Sequence, residues 1–305
     1  GLQMVGPTLL DHADADQQQR FLPPMLRGEH LWCQLFSEPG AGSDLAGLTT
    51  RAELDGDEYV VNGQKVWTSS AHVADWGMML ARTDWDVPKH RGISYFLVDM
   101  RTPGIEVRPL RQSTGFAHFN EVFLTDVRVP KENLVGGAGN GWGVAMTTLA
   151  NERNMIGSGS GISFDSIMEL ARALGGSDDP ILRQELAKSY TRFHLVAWLA
   201  GRARVRAQRG DHLGPEASVL KLLASQKIAL DGDLVMALQG AGGMLSVTDA
   251  PFDGMWQSYF LGQWSVRIGG GTEQIQRNVL GERVLGLPGE ARDDKVLPFR
   301  EVPRN

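Results

Sequence analysis

The sequence predicts an α+β chain of more than one domain, a small antiparallel β barrel or sandwich followed by a C-terminal four-helix bundle. Two observations carry this. Between Leu31 and Asn133, short apolar or β-branched runs alternate with turn signals. From Gly141 onwards, three long segments carry apolar residues at helical spacing, and a shorter one lies near the end. A smaller feature precedes both, since residues 1–30 read as helix, turn, helix.

In that first stretch Asp14 or Asp16 caps a helix through Gln17–Leu26. Pro23-Pro24 is expected to cut the interior of that helix, and Gly28 to end it. After the apolar run Leu31–Phe36, the strand candidates are Tyr59–Val61, Gly77–Ala81, Ile93–Val98, Ile105–Pro109 and Glu121–Leu124. Asp55-Gly56-Asp57, Asn62-Gly63 and Thr102-Pro103-Gly104 read as the turns between them.

The first helical segment, Gly141–Leu174, is interrupted by Gly157, Gly159 and Gly161. Each costs about 1 kcal/mol relative to Ala, a cost that marks close approach of a backbone or ligand. Asp178-Asp179-Pro180 reads as an N-cap with proline at N1, opening a helix to about Gln208. Pro215–Leu238 makes a third helix, and Gln274–Leu285 a shorter fourth. Arg202, Arg204, Arg206 and Arg209 read as a solvated face. Beyond Pro288 the tail is charged and proline-containing, and is expected to be irregular or packed on a partner. The implied domains are residues 1–30, 31–133 and 134–305.

Composition narrows the function classes. The net charge is −6 with both signs interspersed, which argues against nucleic acid as a partner. A single cysteine, Cys33, allows no disulfide framework and suits a reducing compartment. The seven histidines lack metal-ligand spacing, so no metal site is expected. No apolar run approaches the roughly 20 residues of a membrane span, and no signal peptide is visible. The expectation is a soluble, cytoplasmic chain without a membrane partner.

Three stretches carry chemistry. Phe36-Ser37-Glu38-Pro39-Gly40-Ala41-Gly42-Ser43-Asp44 combines hydroxyls, a fixed proline φ and two glycines, which lets backbone N–H groups turn towards an anionic or planar ligand. Alone it would read as an ordinary tight turn. Asn62-Gly63-Gln64-Lys65-Val66-Trp67-Thr68-Ser69-Ser70 places a tryptophan beside hydroxyls, and Gly269-Gly270-Gly271-Thr272-Glu273-Gln274-Ile275-Gln276-Arg277 lies near the end.

In this order the three resemble the flavin-dependent acyl-CoA dehydrogenase family, from about Thr8 to Pro288. The resemblance implies FAD as cofactor and an acyl-CoA substrate oxidised to a trans-2-enoyl-CoA. It further implies electron transfer to an electron-transfer flavoprotein and a homo- or hetero-oligomer that shares FAD sites. Residues 1–30 become the end of an N-terminal helical domain that is mostly missing.

By the same resemblance Trp67 and Ser69 line the flavin ring, Phe36 and Ser37 approach it, and Ser43 meets the acyl-CoA. Gln239 and Gly243 match a Gln-x-x-Gly-Gly element that faces outward to a neighbouring chain's cofactor, and Thr272 and Gln274 match further cofactor contacts. Many members carry the catalytic Glu two residues before Thr272; here that position is Gly270, which has only a backbone N–H to offer the thioester carbonyl. A minority carry it on the first bundle helix, where this chain has Asn151-Glu152-Arg153. Glu152 is therefore the candidate base, with Arg153 bracing it or meeting a CoA phosphate. The family's Arg-x-x-Phe-Gly element survives only as Arg172-Ala173-Leu174-Gly175. That departure keeps open a non-catalytic partner subunit beside the enzyme reading; an acyl-CoA oxidase is the third option. The acyl group itself, linear, branched or steroid side chain, is open.

Overall fold

A computed structural model of the chain describes residues 1–156, 162–209, 217–290 and 292–303, which divide into two units, residues 1–152 with 290–305, and residues 153–289.

The first unit opens with α1 (Val5–His12) and α2 (Ala15–Leu26). Asp14 and Gln17 form a capping box: Gln17 N donates to Asp14 Oδ1 at 2.8 Å and Asp14 N to Gln17 Oε1 at 3.3 Å. Pro23 and Pro24 do not cut α2. They lie in its last turns, where the lost N–H bonds are few, and buried Phe21 and Met25 hold the helix down. Gly28 ends it as expected, with Gly28 N on Met25 O and Glu29 N on Pro24 O.

Eight strands follow in one sheet: β1 (Trp32–Leu35), β2 (Arg51–Asp55), β3 (Glu58–Ser69), β4 (Trp76–Arg82), β5 (Ile93–Asp99), β6 (Ile105–Leu110), β7 (Phe119–Pro130) and β8 (Leu134–Val135). Their order is β6-β7-β3-β2-β4-β5-β8. Pairing is antiparallel except that β1 runs parallel to β4, as does the single β2 bridge from Arg51 to Arg82. The β2–β3 hairpin turns at Asp55–Glu58, as read from sequence. Asn62-Gly63 is instead a register shift inside one long β3, paired with both β2 and β7.

β4 and β5 are buried on both faces. Met78, Leu80, Tyr95 and Leu97 meet Val5, Leu9 and Phe21 from the helices, and Met79, Ala81, Phe96 and Val98 meet Val61, Val122 and Leu124 across the sheet. Their continuous apolar runs follow from this double burial.

α3 (Gly141–Ile156) starts against β5. A Cβ on Gly141 would sit 2.4 Å from the Ser94 carbonyl carbon, so only glycine allows that approach. Further along, Thr148 Oγ1 meets Thr8 Oγ1 at 2.9 Å and Tyr95 OH at 3.3 Å. The three glycines at 157, 159 and 161 lie outside the described residues.

The second unit holds α4 (Phe164–Ala173), α5 (Pro180–Gln208), α6 (Ala217–Gln239), α7 (Met255–Ile268) and α8 (Glu273–Val279). Asp179 caps α5, its Oδ1 accepting from Ile181 N and Leu182 N at 2.7 and 3.0 Å. Ile167, Leu170, Leu186, Leu234, Leu238 and Trp256 make the core shared by α4, α5, α6 and α7. The fourth core helix is thus α7, which the sequence reading passed over; the segment expected there is short α8 with a π turn, Leu280–Val284. Pro215, the expected start of α6, lies outside the described residues. The tail, read as irregular, packs back on the first unit through Phe299.

Candidate active site

The Ser37–Asp44 loop is shaped from beneath. Glu38 N donates to Ala41 O at 3.1 Å and Ala41 N to Glu38 O at 3.0 Å, closing a turn over Pro39-Gly40. The Glu38 carboxylate, 6% exposed, accepts from Thr49 N (2.7 Å), Thr49 Oγ1 (2.9 Å), Thr50 N (2.9 Å) and Lys65 Nζ (2.8 Å). Burial pushes its pKa up, but the Lys65 charge and these bonds outweigh burial and hold it at about 2. Lys65, with 0% exposure, also donates to Phe36 O at 3.2 Å. A dry ion pair on β3 therefore fixes the entry to the loop.

Phe36 does not point into a ligand space. It is 3% exposed and packs edge-on against Tyr95 at 5.8 Å, so only its backbone can serve a ligand. Ser37 is half-buried and Ser43 exposed. Ser37 O accepts from Val66 N at 2.9 Å, which sets this loop beside the end of β3.

There the second stretch turns outward. A register shift between Lys65 and Thr68 puts Trp67 at φ +60° and turns its indole outward, 60% exposed, with Phe119 edge-on at 5.9 Å. A bulky residue in that backbone region is strained, and an exposed tryptophan forgoes burial. Both costs are met at the point where Ser69 is also exposed. An outward indole with hydroxyls and loop amides beside it fits a planar heteroaromatic group such as an isoalloxazine.

Glu152 sits in the last turns of α3, half-buried, and Gln34 of β1 donates Nε2 to its Oε2 at 3.5 Å. Gln34 was not singled out from sequence; its only signal is a polar residue inside an apolar strand. Arg153 is helical, but its side chain lies outside the described residues.

In the second unit, Gly270 lies at φ +63°, between α7 and α8, and its carbonyl accepts from Gln276 Nε2 at 3.0 Å. Thr272 caps α8, its hydroxyl accepting from Ile275 N at 3.2 Å, and Gln274 is exposed on that helix. Gln239 departs from expectation, since its side chain does not face outward. It is 8% exposed, donating to Val235 O and accepting from Gln257 Nε2, both at 3.1 Å. Gly243 is buried under Met236, whose Cε would lie 2.8 Å from an added Cβ. Arg172–Gly175 is a helix end: Gly175 at φ +72° donates to Arg172 O, and Gly176 donates to Ala171 O. The first unit thus carries Ser37, Ser43, Trp67, Ser69 and Glu152, and the second carries Gly270, Thr272 and Gln274 in one loop and helix.

The family model for the acyl-CoA dehydrogenase middle domain matches residues 33–127, and that for the acyl-CoA dehydrogenase C-terminal domain matches residues 139–285. Acyl-CoA dehydrogenase IpdE1 of Mycobacterium tuberculosis is 43% identical over 296 residues, covering 96% of this chain and 76% of that relative. Acyl-CoA dehydrogenase FadE34 of the same organism is 46% identical over 283 residues, 92% of this chain and 39% of that longer protein. Among solved structures, the Tcur3481-Tcur3483 steroid ACAD superposes with a TM-score of 0.87 at 29% identity, covering 94% of this chain and 76% of that one. The chain belongs to the acyl-CoA dehydrogenase family of oxidoreductases.

Proposed function

We propose that this chain dehydrogenates an acyl-CoA thioester to the trans-2-enoyl-CoA with FAD, Glu152 serving as the base. The observation that supports it is a half-buried carboxylate held by Gln34, in the unit that carries Trp67 and Ser69, in a chain whose Gly270 has no side chain. When bound, FAD would supply the hydride acceptor for the β-hydrogen. Glu152 takes the α-proton, and Gln34 keeps its carboxylate oriented. The Gly270 N–H polarises the thioester carbonyl. Trp67 and Ser69 line the ring and exclude water, while Ser37 meets the cofactor from the first loop. Thr272 and Gln274 serve the cofactor, and Gln239 and Gly243 shape their loop from inside. Ser43 and Arg153 serve the CoA thioester, and an electron-transfer flavoprotein takes the electrons.

The acyl group we assign is bulky, branched or alicyclic: Gly269-Gly270-Gly271 places no side chain in its loop, and the structural relative is named for steroid substrates. Anaerobic titration tests this. The yellow protein should bleach with cyclic or branched acyl-CoA, and turnover confined to short linear acyl-CoA would reject the assignment.

One observation favours a second reading, a heteromeric assembly. The structural relative's name joins two chains, and the second unit exposes Trp198, Met244, Trp264 and Ile268. A chain that binds FAD but bleaches only after a paralogous chain is added would place it there.

A further inference from the structure

The C-terminal segment 292–303 runs back over the first unit as a strap. Phe299 N donates to Val87 O at 3.0 Å, Arg300 N to Trp85 O at 3.1 Å, and Pro298 pairs with Pro88. Phe299 is buried under the Arg82 guanidinium, 3.4 Å from the ring centroid. Arg82 in turn donates to the carbonyls of Ala46, Leu48 and Lys89, at 2.7, 3.1 and 3.0 Å. The strap is thereby seated on the turn that follows the Ser43 loop.

Lys89 makes the link direct. Its side chain is 2% exposed, and its Nζ donates to both Asp44 oxygens, at 2.8 and 2.9 Å, and to Asp294 Oδ2. An ammonium so far out of water depends on its carboxylates. One of the two is the neighbour of Ser43; the other belongs to the strap.

We propose that the strap positions the substrate loop: Asp294, acting through Lys89 and Asp44, holds residues 39–44 in the shape in which Ser43 meets the CoA thioester. The proposal rests on the reading that Ser43 contacts that thioester. Asp294 itself touches no substrate and is a positioning residue. A strap with only a structural role would change thermal stability and leave CoA affinity alone.

The test is calorimetric titration of the FAD-loaded, full-length protein with a trans-2-enoyl-CoA, the thioester product, which does not reduce the flavin; every CoA affinity is read with this probe. Asp294→Asn keeps the size and removes the charge; it should raise the CoA Kd about fivefold with flavin content unchanged. In turnover, KM should rise while kcat stays within about twofold, and Asp294→Glu should restore the affinity. Ser43→Ala should also weaken CoA, and Asp294→Asn should add less than about twofold in that background, because both act on one loop. If Ser43→Ala weakens CoA but Asp294→Asn shifts Kd by less than about twofold, the strap proposal is overturned and the Ser43 reading stands. Unchanged CoA affinity in Ser43→Ala overturns both. Should Asp294→Asn fail to fold, Phe299→Leu loosens the strap with every charge retained; a Kd shift below about twofold there overturns the proposal as well.

Discussion

Glu38→Gln should be costly although it removes no substrate contact. The mutation leaves Lys65 fully buried beside a neutral amide that can accept only part of what the carboxylate accepted from Thr49, Thr50 and Lys65. Breaking one side of a buried ion pair costs about 3–5 kcal/mol. The depressed Glu38 pKa points the same way, although burial, the larger influence on Lys65, lowers that ammonium's pKa and offsets part of the gain. The sign also sets a pH window. A carboxyl with a depressed folded pKa contributes stability that is complete above 4.5 and is lost as pH falls towards 2. Urea unfolding at pH 7 and at pH 3, followed by tryptophan fluorescence, measures both. Glu38→Gln should lose about 3 kcal/mol at neutral pH and less in acid, while Glu38→Gln with Lys65→Met should recover part of the loss. A single mutant within about 1 kcal/mol of the parent at pH 7 would refute the reasoning.

Two further variants probe the ligand wall and the vacant base position. Trp67→Ala should cost about 1 kcal/mol or less of stability, because the indole is 60% exposed and touches Phe119 only edge-on, yet flavin retention by absorbance should fall at least about tenfold. Full flavin content in that variant would contradict the wall assignment. Gly270→Glu restores a carboxylate at the family's commoner place but puts a side chain at φ +63°, a cost of about 1–2 kcal/mol. It should lower the melting temperature and restore only a small part of the rate in a Glu152→Gln background; an unchanged melting temperature would show that the loop relaxes.

Much of the fold was legible because burial leaves periodic marks. β4 and β5 announced themselves as unbroken apolar runs, whereas β2 buries only Ala52 and was passed over. Asn62-Gly63 has the composition of a hairpin turn, and only pairing with two neighbouring strands shows it to be a bulge. α7 was missed because its Trp, Gln and Ser residues leave no clear apolar stripe. At the site, Ser37, Trp67 and Ser69 were named through the resemblance to the family, and the structure leaves Trp67 and Ser69 exposed at the end of β3. The Gln34–Glu152 contact, the Glu38–Lys65 pair and the strap bring together residues 27 to 205 positions apart, which no local pattern encodes. Gln239 misled for the converse reason, since a polar residue at a helix end reads alike whether it serves a ligand or the chain itself.

The central claim is that Glu152 takes the α-proton, and anaerobic stopped-flow flavin bleaching by an acyl-CoA tests it most directly. Gln is close in size to Glu and can keep the contact with Gln34, so Glu152→Gln should retain its fold, flavin content and acyl-CoA binding. The rate of flavin reduction should fall at least about 10²-fold, the lower end of what a positioned acid–base group contributes. Near-normal bleaching by Glu152→Gln would contradict the account and assign proton abstraction to another residue or another chain.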